Sequence, residues 1–133
     1  MADALPLPAP ESALNAWRGD FGIEYTRRNP INADALAKVC KLWNPLLALM
    51  GPLSYVVEVG ANTGINLWAL RLLTTAHFIA VEPNAYARSF LSSGVKLHHP
   101  PLDASAASLP IESACAELVV NCGVLIPVPP QEL

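Results

Sequence analysis

A glycine-containing turn near the middle of the chain is preceded closely by one acidic residue and followed at a distance by another. Residues 57–70 read VEVGANTGINLWAL, with Glu58 two positions before Gly60 and Gly64 four positions after it. A second acid, Glu82, follows Gly60 by 22 positions. Carboxylates accept strong hydrogen bonds from ammonium groups and from hydroxyls. The pattern therefore predicts a binding site for a small molecule that carries such groups.

The residues of this turn distinguish two classes of ligand. Dinucleotide-binding turns follow G-x-G-x-x-G/A, whereas this chain has Asn62 at the middle glycine position and Ile65 at the last one. A carboxylate at Glu58 would repel a pyrophosphate but suits the α-ammonium of an amino acid. Glu82 suits both NAD and S-adenosylmethionine, because each carries a ribose diol. The combination favours S-adenosylmethionine, and an NAD-dependent oxidoreductase is a disfavoured alternative.

The backbone of the turn is expected to be unusual. Gly60 falls where a strand ends, and Gly64 falls where a helix begins. Asn62 lies between them, and asparagine is among the few residues that tolerate a positive φ. We expect several backbone N–H groups to point into a crevice there. A strand–turn–helix unit whose glycines bind no ligand is the alternative.

Alternating strands and helices are predicted to position this turn. Residues 55–59 form a short apolar run rich in β-branched side chains, which favours a buried strand, and helical periodicity follows at 66–74. Such alternation predicts an α/β fold with a parallel sheet, helices on both faces and a ligand crevice at the carboxyl ends of the strands. The remaining predicted elements are strands at 77–82, 95–99 and 116–121 and a helix at 84–93.

The amino-terminal part is predicted to be a helical cap. Asn32 is a good N-cap for the helix that follows, Pro45 should kink or split that helix, and the Gly-Pro pair at 51–52 should stop it. Trp43 and Trp68 lie on apolar helical stripes and are predicted core residues, whereas Arg71 and Arg88 are predicted to lie on solvated helix faces. The predicted organisation is a disordered Pro-rich lead-in at 1–12 and one domain at 13–133, with a cap at 13–52 and a Rossmann-like core at 53–133.

Composition excludes several classes of function. The 133 residues carry a net charge of −3 and one basic doublet, which disfavours nucleic acid as a partner. The sequence has neither a basic signal-peptide start nor an apolar run of ~20 residues, so we expect a cytoplasmic protein without a membrane partner. The three cysteines and the two adjacent histidines at 98–99 lack metal-ligand spacing, and no metal is expected. Motifs for nucleophilic hydrolysis or phosphoryl transfer are absent from the sequence.

Residues 55–123 resemble the first half of a class I S-adenosylmethionine-dependent methyltransferase. In that family the acid and the glycines of the turn hold the amino-acid end of the cofactor, an acid after the second strand holds the ribose, and an Asp after the third strand meets the adenine. The resemblance implies a strand order of 3-2-1-4. It also implies cofactor-binding roles for Glu58, Gly60, Ala61, Asn62, Gly64, Glu82, Pro83, Asp103, Ala104 and Asn121.

A narrower resemblance covers residues 17–133. The segment WRGDFGIEYTRRN, together with the turn and ELVVNCGVLIPVPPQEL, is similar to the pseudaminic acid biosynthesis-associated methyltransferases. The resemblance implies methyl transfer to a small-molecule acceptor, such as a sugar or nonulosonate. It makes Tyr25, Arg28 and Asn29 substrate-binding or cap candidates, although the same residues could simply fasten the segment to the fold. No catalytic residue is identified.

Two departures from these families concern the carboxyl-terminal end. Pro127 stands where the narrower family has a histidine, and the chain stops at Leu133, before the helix and three strands that complete a class I fold. We expect the strand at 116–121 to present an apolar edge, which a second copy or another chain would cover. The alternative function is therefore a truncated or degenerate, non-catalytic S-adenosylmethionine-binding module that needs an oligomer or a partner.

Overall fold

A central parallel strand organises the molecule. The computed structural model describes residues 10–124, so the expectations for residues 1–9 and for the tail that contains Pro127 lie outside the described residues. Three helices precede the first strand, and strands and helices alternate after it. The elements are α1 (Pro10–Arg18), α2 (Asp20–Arg28), α3 (Ala33–Leu47), β1 (Tyr55–Val59), α4 (Ile65–Leu73), β2 (His77–Val81), α5 (Ala85–Gly94) and β3 (Leu118–Asn121).

The described sheet has three parallel strands in the order β2-β1-β3. Val59 of β1 pairs with Val81 of β2 on one side and with Asn121 of β3 on the other. The strands therefore end at the same edge, as the α/β prediction requires. The chain thus has an α/β fold with a small open parallel sheet.

The strand predicted at 95–99 is not formed, although its segment lies beside β2. Leu97 makes an isolated parallel bridge with Phe78, and Leu102 makes another with Val81. Between these two bridges the chain contains two consecutive prolines at 100–101, which have no N–H to donate to a ladder. The predicted order is therefore realised as three strands flanked by two bridges at the β2 edge.

Helices cover one face of the described sheet. Trp43 of α3, Leu67 of α4 and Leu91 of α5 pack against Val56 of β1 in one apolar cluster. The opposite face is covered, within residues 10–124, by the segment that includes Leu102, Ala104 and Ile111. The expectation of helices on both faces is thus met on one face only. The covering segment is rich in Ala, Ser and Pro and lacks an apolar stripe of helical period.

The start of helix α3 follows the prediction from local sequence, whereas its end does not. The Asn32 side chain accepts a hydrogen bond from the Ala35 N–H at 2.9 Å, as predicted for the N-cap of α3. Pro45 lies inside α3, which continues to Leu47, so the predicted split does not occur. The proline lies close to the carboxyl-terminal end, where losing one backbone bond has little consequence. The helix also ends before the Gly-Pro pair that was expected to stop it.

The amino-terminal cap begins earlier than expected. Helix α1 starts at Pro10, three residues inside the segment predicted to be disordered, and proline is well suited to the first position of a helix. Among the described residues, no helix combines the length and the apolar character needed to cross a membrane.

Candidate functional site

The turn between β1 and α4 has three left-handed residues within five positions. The φ angles are 73° at Gly60, 49° at Asn62 and 87° at Gly64. The prediction for Asn62 is confirmed. Because residues with a Cβ rarely adopt such angles, this sequence is suited to reversing the chain abruptly at the carboxyl end of β1.

The backbone N–H groups of the turn do not point freely into a crevice. Gly60 and Ala61 both donate to the Val81 carbonyl, at 2.8 and 3.0 Å. The N–H of Asn62 donates to Glu82 Oε2 at 2.7 Å. The expectation of free donors is therefore wrong for these three groups. The end of β2 lies close enough to accept them, and buried N–H groups are nearly always paired within the fold.

Glu82 is a rigidly held acid at the end of β2. Its two oxygens accept hydrogen bonds from the backbone of Asn62 and, at 2.8 Å, of Asn84, and the residue is only 7% exposed. Burial raises the pKa of Glu82, which the two backbone N–H groups and Arg88 oppose. Each carboxylate oxygen has more than one lone pair, so the group can still accept hydroxyls from a ligand.

Glu58 is more deeply buried, and only one of its oxygens has a partner. Asn66 Nδ2 donates to Glu58 Oε1 at 2.7 Å, while Oε2 has no hydrogen-bond partner within residues 10–124. Burial and, to a smaller extent, the charge of Glu82 raise the pKa of Glu58 to about 8, while Asn66 and the nearby Leu67 backbone N–H oppose the rise. Glu58 is therefore mostly protonated at neutral pH. The expected repulsion of a pyrophosphate by Glu58 stays a prediction, and it applies to the ionised form of this acid.

Asn66 is a site residue that sequence reasoning missed. It is 9% exposed, and its Oδ1 accepts a hydrogen bond from Trp43 Nε1 at 3.0 Å. Its Nδ2 also lies 3.7 Å from Cys122 Sγ. A single amide within the apolar helical run INLWALRLL was the available indication, because a buried polar group needs partners.

The cap is fastened directly to the turn. The Thr26 hydroxyl lies 2.8 Å from Asn62 Oδ1, and Asn84 Nδ2 donates to the Trp17 carbonyl at 2.7 Å. A Cβ added at Gly22 would overlap the Trp17 carbonyl and the Asn84 amide. The segment at 17–22, which reads WRGDFG, therefore places α2 against the site, and Gly22 permits the close approach.

Tyr25, Arg28 and Asn29 lie on the outer side of this contact. Tyr25 is 38% exposed and packs edge-on against Trp17, with ring centroids 5.2 Å apart. Asn29 is the C-cap of α2, and its side chain donates to the Tyr25 carbonyl. Arg28 is exposed. In residues 10–124 it is Thr26, between these candidates, that reaches the turn.

Asp103 and Ala104, the expected adenine-binding residues, have partners within the fold, and their role towards the cofactor stays a prediction. Asp103 pairs with Arg18 and with Arg88, at 3.2 Å in each case, and so links α1 to α5. Ala104 is 8% exposed and belongs to the apolar cluster on the helix-free face. Arg88 is not on a solvated face, since it also donates to the Glu82 carbonyl at 2.8 Å. The ion pairs draw Asp103 towards the cap.

The remaining predicted positions line the edge of the turn. Half-buried Pro83 separates Glu82 from Asn84, and Asn121 ends β3 beside Val59. Val124 stands over the turn, because a Cβ added at Gly60 would overlap its side chain. Any ligand that approached Gly60 closely would have to displace Val124.

Family models, curated proteins and solved structures give no match to the chain. Among residues 10–124, no three His, Cys, Asp or Glu side chains are grouped so as to hold a metal ion. The described part of the chain gives the site three features: a buried acid with one unpartnered oxygen, a second fixed acid 24 positions later in the chain, and a cap against both.

Proposed function

We propose that this chain binds S-adenosylmethionine at the β1–α4 turn and transfers its methyl group to a small-molecule acceptor. One observation carries the proposal: Glu58 Oε2 is buried and has no hydrogen-bond partner among the residues that the structure describes. Leaving a buried polar atom unpaired costs about 1–3 kcal/mol, and a site that binds a cationic group gives such an atom a partner. The α-ammonium of an amino-acid moiety is the matching group.

Glu82 supports the same ligand. It ends the strand next to β1, and the backbone of Asn62 and Asn84 fixes its carboxylate. A carboxylate in this place can accept the two hydroxyls of a ribose. Glu58 would then hold one end of the ligand and Glu82 its nucleoside.

When bound, S-adenosylmethionine supplies a methyl group that its sulfonium already activates. What the protein must add is the position of the acceptor relative to that methyl group, which is catalysis by proximity and orientation. Trp17, Phe21 and Tyr25 form a partly exposed aromatic cluster with centroid distances of 4.9 and 5.2 Å, and Arg28 follows Tyr25 by three positions in α2, which places these two residues on one face of the helix. Aromatic rings beside a cation suit an acidic sugar, which supports a nonulosonate-related acceptor.

A second candidate function rests on a different observation. Val124 covers Gly60, and the backbone donors of Gly60 and Ala61 are bonded to Val81. Both features suit a degenerate, non-catalytic module that binds the cofactor only after a rearrangement in an oligomer or with a partner. Val119 on β3 is 59% exposed, so that strand offers a surface on which a second copy could pack.

Calorimetry separates the candidates. S-adenosylhomocysteine should bind, NAD should not, and Glu58→Gln should weaken binding, whereas the exposed control Glu112→Gln should leave it unchanged. Binding of NAD alone would refute the proposal. Binding without methyl transfer to any of a panel of acidic sugars, with a dimer seen by light scattering, would favour the non-catalytic module.

A further inference from the structure

We infer that Trp43 and Asn66 position Glu58 so that capture of the ligand's ammonium group expels one proton from this acid. The inference rests on the proposed function for the identity of the ligand. It goes further in assigning two positioning residues and in making ligand binding proton-coupled.

Trp43 determines the orientation of the Asn66 amide. An indole N–H can only donate a hydrogen bond, so the Trp43 Nε1 contact at 3.0 Å identifies its partner on Asn66 as the oxygen, Oδ1. The amide nitrogen must then face Glu58, where it lies 2.7 Å from Oε1. The relative exposures of Trp43, Asn66 and Glu58 are 8%, 9% and 2%, so water does not compete with these bonds.

The hydrogen bond from Asn66 determines which oxygen of Glu58 carries the proton. Oε1 accepts a hydrogen bond from Asn66 Nδ2, which disfavours a proton on that oxygen. When the acid is protonated, the hydrogen therefore sits on Oε2, the oxygen without a partner. Oε2 forms a charge-assisted hydrogen bond with a ligand ammonium once this hydrogen has left. In the balanced step, the carboxylic acid and the ammonium ion form a carboxylate–ammonium pair, and one proton passes to solvent.

Two other titratable groups, Glu82 and Cys122, act on Glu58 or are affected by it. Burial, with a smaller contribution from the charge of Glu82 at the end of β2, raises the pKa of Glu58 to about 8 against the lowering by Asn66 and the Leu67 backbone. The Cys122 thiol beyond β3 is the other titratable group in contact with this chain of bonds, and its own pKa is raised by burial and by Glu58. The partners from α3 and α4, Trp43 and Asn66, do not titrate. A bound ammonium would supply the positive charge that these groups lack.

Linkage fixes the sign of the effect. Free protein holds a proton that the complex has lost, so affinity must rise with pH by about tenfold per unit while Glu58 is protonated, and must level off above its pKa. Because Asn66 lowers that pKa, losing its amide moves the levelling-off to higher pH. A residue that merely supported the fold would lower affinity equally at every pH.

The test is calorimetric titration of the intact chain with S-adenosylhomocysteine across pH 6 to 9, in buffers of different ionisation enthalpy. Wild-type protein should release about one proton at neutral pH. Glu58→Gln should abolish both the release and the pH dependence, and Asn66→Ala should move the curve to higher pH. Trp43→Phe, which keeps an aromatic ring but removes the indole N–H, should do the same to a smaller extent. The exposed control Asn44→Ala should match the wild type.

The ligand 5′-methylthioadenosine supplies a second control, because it lacks the ammonium group and should bind without releasing a proton. Tight binding of S-adenosylhomocysteine with no proton release and no pH dependence overturns this inference and leaves the proposed function intact. Equal, pH-independent losses in Asn66→Ala and Trp43→Phe also overturn it. Absence of binding at every pH overturns the proposed function itself.

Discussion

The hydroxyl of Thr26 in the cap lies 2.8 Å from Asn62 Oδ1 in the turn, across 36 positions of sequence. The same hydroxyl lies 2.9 Å from the Gly22 carbonyl one helical turn earlier. Thr26 is 4% exposed. The left-handed residue at the centre of the turn is thus held by the cap as well as by Glu82.

Replacing Thr26 should therefore loosen the cap from the turn. Thr26→Val keeps the shape of the side chain and removes its hydrogen bonds, which should lower the free energy of unfolding by about 1–2 kcal/mol. The exposed Thr75→Val should change it by less than about 0.5 kcal/mol. Urea unfolding measures both variants, and hydrogen exchange at Asn62 locates the effect. Equal stabilities for the two variants would show that the contact contributes nothing.

Gly22 tests the same interface by steric means. A Cβ at this position overlaps two polar groups of the fold, one on Trp17 and one on Asn84. Overpacking of this kind costs typically about 1–3 kcal/mol, so Gly22→Ala should destabilise the chain and expose Trp17. Gly51→Ala is the matched control, because a Cβ there meets nothing within 4 Å. Tryptophan fluorescence and thermal unfolding report on both, and a native spectrum for Gly22→Ala would contradict the close approach.

Local sequence was sufficient for much of the framework. The apolar runs of β1 and β2, the Asn32 cap and the positive φ of Asn62 each depend on residues within a few positions of one another, so pattern and propensity determine them. The strand predicted at 95–99 failed for a reason that was also local, since two prolines follow it directly.

The candidate site depended on contacts that no short pattern contains. The Trp43–Asn66 pair spans 23 positions, and Arg18 reaches Asp103 across 85. Such distances are closed only by the packing of helices on the sheet. The sequence therefore predicted Glu58 and Glu82 as acids of the candidate site. It did not predict the raised pKa of Glu58 or the backbone hydrogen bonds that Glu82 accepts.

Access to Gly60 should depend on Val124. Its side chain fills the space where a ligand would approach the glycine, so shortening it removes a clash that binding must otherwise relieve. We expect Val124→Ala to bind S-adenosylhomocysteine several-fold more tightly than the wild type. Val119→Ala, at a position 59% exposed on β3, should leave the affinity unchanged. Calorimetry distinguishes these outcomes, and weaker binding by Val124→Ala would instead make this side chain part of the binding surface.

The free energy of unfolding should fall as pH rises from the pKa of Glu58 in the unfolded chain to its higher pKa in the folded chain. The pKa of Glu58 lies at about 8 in the folded chain, above an ordinary value of 4.5, so between these values the native state holds a proton that the unfolded chain has lost. The free energy of unfolding then decreases with pH, by up to about 1.4 kcal/mol per unit. The raised pKa of Glu82 acts in the same direction. This contribution is fully present below the unfolded value and is lost by about pH 8.

Glu58→Gln isolates that contribution. Glutamine resembles the protonated acid and cannot ionise, so the variant should unfold with a shallower pH dependence and should be more stable than the wild type above about pH 8. Glu112→Gln, on an exposed segment, should follow the wild-type curve. Urea unfolding from acidic to alkaline pH provides the comparison. If Glu58→Gln and the wild type ran parallel throughout, Glu58 would have to be ionised in the native protein, and the proton-coupled capture inferred from its surroundings would fail with it.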